Sequence, residues 1–312
     1  MLGWAAGVGV MNVAGHTMGT PEYDIDEAVA LFASIGFDGI EVIWDDEYRC
    51  AIKKRARPSE IADLKRKVHA LGMRIACLTP YMRSINSLEP LVREKELVDF
   101  ARCIDVAQEL ECPCIRVYGG EYLGDRDSAA WPAHEDRLVD SLRTMGEKAD
   151  RAGVTLAVET HFNTMTATAA DTARIIRRVD LPSVRALYDP ANLAFIAAEG
   201  APESLRILRG LIAMVHVKDF QFRPDSDRRF LSSDVTRVKE AERTVVSRVP
   251  GEGILPWPEI LASLKGQGFR GTLSLEYERR WHPADLPPAG EGMCRGLDYV
   301  RSILQSLEGG GP

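Results

Sequence analysis

One unit recurs along this chain: an amphipathic helical stretch, a Gly or Pro near its end, then a short apolar run rich in β-branched residues. Runs that are apolar on both faces and alternate with helices predict parallel strands with helices covering the sheet. The helical stretch 28–35 leads through Gly36 to a strand at 39–44, 61–71 through Gly72 to 74–78, and 97–110 through Pro113 to 114–118. The series continues with 138–152, Gly153 and 155–159; 169–179 and 184–188; 202–208, Gly210 and 213–217; and 257–265, Gly268 and 272–276. A first strand read at 6–11 makes eight, nothing after Glu276 reads as a ninth, and 297–307 reads as the closing helix. Units of about 35 residues repeated in this way predict an α/β fold, a (β/α)8 TIM barrel, with 1–312 forming a single domain. The rival is a doubly wound open sheet. No Gly-x-Gly-x-x-Gly joins a strand to a helix to support it, and Gly7-Val-Gly9 alone is a weak signal.

Two segments depart from the repeat. An extended loop at about 220–250, containing Pro224, Asp225, Asp227, Arg228 and Arg229, exceeds the roughly two to six residues of an ordinary βα connection. It reads either as a substrate-selecting lid or as a peripheral excursion. The C-terminal tail begins with Arg279-Arg280-Trp281-His282-Pro283, directly after the last strand, at the substrate mouth or on an outer interface.

Charge narrows the partners. A formal net charge of −7 and a pI near 5.5 oppose attraction to nucleic-acid phosphates or anionic lipid. The cluster Lys53, Lys54, Arg55 and Arg57 is short and followed by Pro58, which reads as a solvated loop. No apolar run reaches the roughly 18 residues of a membrane span. Cys50, Cys77, Cys103, Cys112, Cys114 and Cys294 are scattered through a chain without a basic-then-apolar leader pattern, so reduced thiols and a cytoplasmic protein are expected. Cys112-Pro-Cys114 lacks the spacing of a zinc or redox pair, and buried structural thiols are expected there.

In such barrels the C-terminal strand ends and the loops after them build the active site. Four strand ends carry chemistry: Val158-Glu159-Thr160-His161, Tyr188-Asp189-Pro190-Ala191-Asn192, His216-Val217-Lys218-Asp219 and Leu275-Glu276-Tyr277-Glu278. Three carboxylates converging in one pocket would repel and raise one another's pKa, and a divalent ion removes that conflict. Glu159, Asp189, His216 and Glu276 therefore form a candidate site for one divalent metal ion: Mn²⁺, Mg²⁺, Co²⁺ or Zn²⁺. The plainer reading makes Asp189 and Asp219 helix caps and His216 a hydrogen-bonded core histidine. Glu is a poor cap, however, and four candidates arriving in register favour the ion. His161, Asn192, Lys218 and Glu278 stand beside them as candidate substrate contacts.

These motifs, with Gly36-Phe-Asp-Gly-Ile-Glu41, Gly251-Glu-Gly253 followed by Pro256-Trp257, and Ser274-Leu-Glu276, resemble the xylose-isomerase-like TIM barrel superfamily of sugar isomerases and epimerases over nearly the whole chain. The resemblance implies that Glu159, Asp189, His216 and Glu276 ligate the metal, and that Glu159 and Glu276 also act as acid and base on opposite faces of the substrate. It implies a metal-dependent isomerase or epimerase of a small sugar, keto sugar or related polyol carbonyl compound, working through an enediolate stabilised by the ion. Ketose 3-epimerases of the family place a His where this chain has Asn192. The alternative is a dehydratase (lyase) of the inosose or dehydroshikimate type, which shares the opening step and then expels a β-hydroxyl with His161 or Lys218 as acid. A non-catalytic sugar-binding subunit is a further reading, disfavoured by four intact ligands. The DNA-repair endonuclease branch needs several more histidines and a basic groove, against six His and a negative charge here. Symmetric assembly into a homo-oligomer, a dimer or tetramer, is expected.

Overall fold

The protein is described by a computed structural model over residues 11–224 and 243–309. Strands β1 (Asn12–His16), β2 (Gly39–Trp44), β3 (Arg74–Pro80), β4 (Cys114–Val117), β5 (Thr155–Glu159), β6 (Val184–Tyr188), β7 (Ile212–Val217) and β10 (Thr272–Leu275) pair in parallel. They close into a barrel in the order β1-β10-β7-β6-β5-β4-β3-β2. Around it run α1 (Ile25–Ile35), α2 (Pro58–Ala70), α3 (Pro90–Glu109), α4 (Trp131–Ala152), α5 (Ala169–Val179), the short α6 (Pro190–Phe195) and α7 (Ala201–Ile207), α8 (Trp257–Gly266) and α9 (Ala289–Gly309). Among the described residues no helix is long and apolar enough to cross a membrane.

Local chemistry sets these boundaries. Asp24 and Glu27 close a reciprocal capping box at the start of α1, and Gly36 ends that helix in the left-handed region at φ 97°. In α4 the buried Leu138, Leu142, Met145 and Ala149 are spaced four, three and four apart, one stripe turned to the barrel wall. Seven of the strands lie within two residues of their expected positions. The first does not. It runs Asn12–His16 rather than 6–11, and residues 6–10 of the expected strand lie outside the described residues. Asn12-Val-Ala-Gly-His16 holds one β-branched residue and lacks the apolar signature of the others. Its place is set by packing: a Cβ on Gly15 would stand 3.1 Å from the Phe32 ring of α1, so a small residue lets strand and helix close up.

Successive side chains of a strand alternate between outside and inside, and this stacks the interior in layers. Cys77, Cys114, Ala157, Leu187 and Met214 form one buried cluster within the barrel. Two residues further along each strand stand Thr79, Arg116, Glu159, Asp189 and His216, all buried. An apolar floor thus supports a polar layer. Cys112 and Cys114 are buried free thiols, as expected; Cys50, Cys77 and Cys103 are buried too, and Cys294 is partly exposed.

The extended loop has an ordered stem. β8 (Asp219–Phe222) and β9 (Val245–Arg248) pair antiparallel from Asp219↔Arg248 to Phe222↔Val245. Asp225, Asp227, Arg228 and Arg229 lie outside the described residues. Asp219 caps no helix. Its carboxylate accepts the backbone N–H groups of Phe220, Gly251 and Leu255, folding segment 249–255 against the stem. A Cβ on Gly253 would stand 2.0 Å from Asp219 Oδ1, so that close approach requires glycine.

Candidate active site and metal centre

Glu159 ends β5, Asp189 follows β6, His216 lies near the end of β7 and Glu276 follows β10, so all four leave the barrel at its C-terminal rim. Each is buried, and one ligand atom from each lies within 4.8 Å of the others. His216 Nδ1 stands 3.0 Å from Glu159 Oε1, 3.4 Å from Glu276 Oε2 and 3.8 Å from Asp189 Oδ2. Asp189 is a helix cap whose second oxygen remains placed for the ligand reading. Its Oδ1 accepts the Asn192 N–H at 2.9 Å and caps α6, while Oδ2 turns to the centre. The Asn192 amide then donates to Asp189 Oδ2 at 2.9 Å and to the Thr160 carbonyl at 3.1 Å, fixing the carboxylate.

The donor set fits a divalent ion. His216 Nε2 lies 3.2 Å from both oxygens of Glu41. A carboxylate only accepts, and His216 Nδ1 also faces one at 3.0 Å; with the one proton of a neutral ring donated from Nε2 to Glu41, the Nδ1 lone pair is aimed at three carboxylates. That arrangement is repulsive unless a cation lies among the four groups, and carboxylate oxygens with one imidazole suit a hard or borderline metal. In the protein alone the same carboxylates charge the imidazole: burial works to lower the His216 pKa, but Glu276 and Glu41 raise it well above its usual value.

Two buried cations also neutralise the centre. Lys218 Nζ is 2.9 Å from both Asp189 Oδ2 and Glu276 Oε2, and 3.4 Å from Glu278 Oε1. Burial alone would lower its pKa, yet Asp189 and Glu276 hold it well above the ordinary lysine value. Arg116 of β4 pairs with Glu159 Oε2, leaving Oε1 to the centre. Burial would raise the Glu159 pKa, and the Arg116 guanidinium leads in bringing it down to about 2.

Above the centre a cleft opens between the loops that follow the strands. His161, Lys218, Glu276 and Glu278 line it with Tyr48, Tyr81, Arg116, Tyr118 and Trp281. Asn192 instead lines an adjoining pocket with Phe162, Phe195 and Lys218. His161 Nδ1 lies 2.6 Å from the Phe162 carbonyl, which accepts only; Nδ1 therefore donates and Nε2 is left as an acceptor. One wall alternates rings and guanidinium groups. Tyr48 and Tyr81 stack at 5.2 Å, Arg280 lies 3.8 Å over Tyr48, and Arg116 sits 5.6 Å from Tyr81 and 5.0 Å from Tyr118. The tail after β10 thus reaches the cleft through Trp281 and Arg280.

Sequence reasoning had not assigned Glu41, His16 or Arg116 to the site. Glu41 and Arg116 interrupt the apolar runs Gly-Ile-Glu-Val-Ile-Trp and Cys-Ile-Arg-Val, and a charge inside a buried strand is itself the signal that could have found them. His16 was hidden by the misplaced first strand.

A closed (β/α)8 barrel with three buried carboxylates and a histidine at its C-terminal rim defines a TIM-barrel protein with a candidate divalent-metal centre. The chain belongs to the xylose isomerase-like TIM barrel family, whose model matches residues 29–303. It is similar to a 3-dehydroshikimate dehydratase of Pseudomonas putida, 26% identical over 81% of this chain and 36% of that protein. It is also similar to an inosose dehydratase of Geobacillus thermodenitrificans, 25% identical over 53% of each. The chain thus spans about a third to a half of the length of these curated relatives. Among solved structures, a D-tagatose 3-epimerase-like protein shares the fold with a TM-score of 0.74, at 17% identity over 96% of this chain and 98% of that one.

Proposed function

We propose that the protein is a metal-dependent dehydratase that removes water from a small polyhydroxylated ketone. The observation that carries this reading is the buried Lys218 ammonium, which lies in the cleft against Asp189 and Glu276. Epimerisation by proton transfer on two faces calls for two carboxylates free to exchange protons. Here Glu159 Oε2 is tied to Arg116 and Glu276 Oε2 to Lys218, which favours both as anions and ligands. The cleft also offers His161 Nε2 as an acceptor and Lys218 Nζ as a donor.

That pair suits an elimination. His161 takes the proton from the carbon next to the ketone, the C–H electrons form a carbon–carbon double bond, and the β carbon–oxygen bond breaks. Lys218 gives a proton to the departing hydroxyl, which leaves as water. A divalent ion held by Glu159, Asp189, His216 and Glu276 would polarise the substrate carbonyl as a Lewis acid. The tyrosines and polar side chains of the cleft suit a polyol. Dehydratases among the sequence relatives support the same reaction class.

The test uses Mn²⁺-loaded protein with an inosose and with 3-dehydroshikimate as probes, following new conjugated absorbance and solvent deuterium uptake. Lys218→Met should lower the rate of water loss by about 10²-fold or more while deuterium exchange continues, whereas His161→Gln should suppress both. Epimer formation without water loss would replace this reading by the isomerase/epimerase one, and binding without exchange would leave a sugar-binding barrel.

A further inference from the structure

Beside the candidate metal centre lies a buried polar group that the proposed chemistry does not use. Glu41 of β2 has no exposed surface and is faced from three sides. His216 Nε2 lies 3.2 Å from its carboxylate oxygens, the Thr79 hydroxyl donates to Oε1, and His16 Nε2 stands 3.5 Å from Oε1. Barrel register builds this group, since His16 of β1 and Glu41 of β2 are paired residues.

His16, Glu41 and His216 lie close enough together to be drawn as a second metal site. Their hydrogen bonds argue otherwise. The Met18 backbone N–H donates to His16 Nδ1 at 3.0 Å, so that nitrogen is an acceptor and a neutral His16 carries its proton on Nε2, toward Glu41. An ion on His16 Nε2 would strip that ring of both protons. An ion on His216 Nδ1 makes no such demand, because the His216 proton then sits on Nε2 and is donated to Glu41. The His216 N–H and the Thr79 hydroxyl are therefore donated to one carboxylate, with His16 Nε2 3.5 Å away and making no hydrogen bond.

We propose that Glu41, held by the Thr79 hydroxyl, is a positioning residue that fixes the His216 ring in its Nε2–H tautomer and so presents the Nδ1 lone pair to a divalent ion. This rests on reading Glu159, Asp189, His216 and Glu276 as the metal ligands. A carboxylate is required because it offers acceptors alone. A glutamine of the same shape can turn its NH₂ toward Nε2, which drives the His216 proton to Nδ1, where it blocks ligation. Carboxylates behind ligating histidines generally act in this way.

The experiment titrates metal-stripped full-length protein with Mn²⁺ by calorimetry and records ¹⁵N-histidine spectra of the Zn²⁺-loaded parent. Glu41→Gln should raise the Mn²⁺ Kd by about 10- to 100-fold, and the parent spectrum should show His216 protonated at Nε2 and metal-shifted at Nδ1. An unchanged Kd in Glu41→Gln overturns the inference, and so does a parent spectrum with the proton on Nδ1 or the ion on Nε2. A parent that binds no Mn²⁺ rejects the metal reading and this inference with it, whereas a binding parent matched by its variant rejects the inference alone. Should Glu41→Gln fail to fold, the parent spectrum decides.

Discussion

Glu159 is where two demands meet, since one oxygen faces the centre and the other is bound to the buried Arg116. Removing the charge of Glu159 therefore harms more than metal binding, because it leaves a guanidinium uncompensated in the barrel interior. Glu159→Gln should cost about 3–5 kcal/mol of stability, and Arg116→Met added to it should restore part of the loss. Urea unfolding of the two single variants and the double variant in the absence of metal checks this. Additive losses would mean that the two charges do not neutralise each other. Glu276 pairs with Lys218, which keeps Asp189 as a second partner, so Glu276→Gln should be milder in the same assay.

Among the elements, segment 249–255 is tied to the stem formed by β8 and β9 through the Asp219 carboxylate. The buried N–H groups of Phe220 and Leu255 lose their acceptor once the Asp219 carboxylate is gone, and an unsatisfied buried donor costs about 1–3 kcal/mol. Asp219→Ala should therefore destabilise the protein by at least about 2 kcal/mol, with amide hydrogen exchange rising first at Gly251 and Leu255. Uniform exchange across the barrel would place the clamp elsewhere. Asp189 shows the converse case, in which one short side chain both starts α6 and faces the centre. At that strand end the cap and ligand readings are compatible, because a carboxylate has two oxygens pointing in different directions.

For the whole molecule, converging carboxylates at a metal centre should make stability depend on metal. An ion that binds only the folded barrel adds about 2.7 kcal/mol at 100 times its Kd, so Mn²⁺ should raise the Tm by several degrees and EDTA should reverse it. A Tm insensitive to Mn²⁺, Mg²⁺, Co²⁺ and Zn²⁺ would count against the centre. Association is also expected. Leu91 and Val98 of α3 are 81% and 70% exposed and seven residues apart, hence on one helix face, a surface suited to self-association. Light scattering at micromolar concentration should give a dimer or tetramer mass, and a monomer mass would reject this.

The sequence by itself determined the barrel, because strands buried on both faces and separated by amphipathic helices leave few other ways to cover their apolar surface. It also marked Glu159, Asp189, His216 and Glu276, since acidic residues and a histidine at the ends of apolar runs break a periodicity that can be counted along the chain. The first strand was not legible: Asn12-Val-Ala-Gly-His16 is held by Phe32 of α1 and by its barrel neighbours rather than by its own propensity. Only closure of the barrel brings His16 beside Glu41, Glu41 behind His216 and Arg116 onto Glu159. Residues 41 and 216 are far apart in the chain, and no local pattern records that their strands face across one interior. Periodicity encodes which side of a strand is buried, whereas register and curvature decide which buried charges meet.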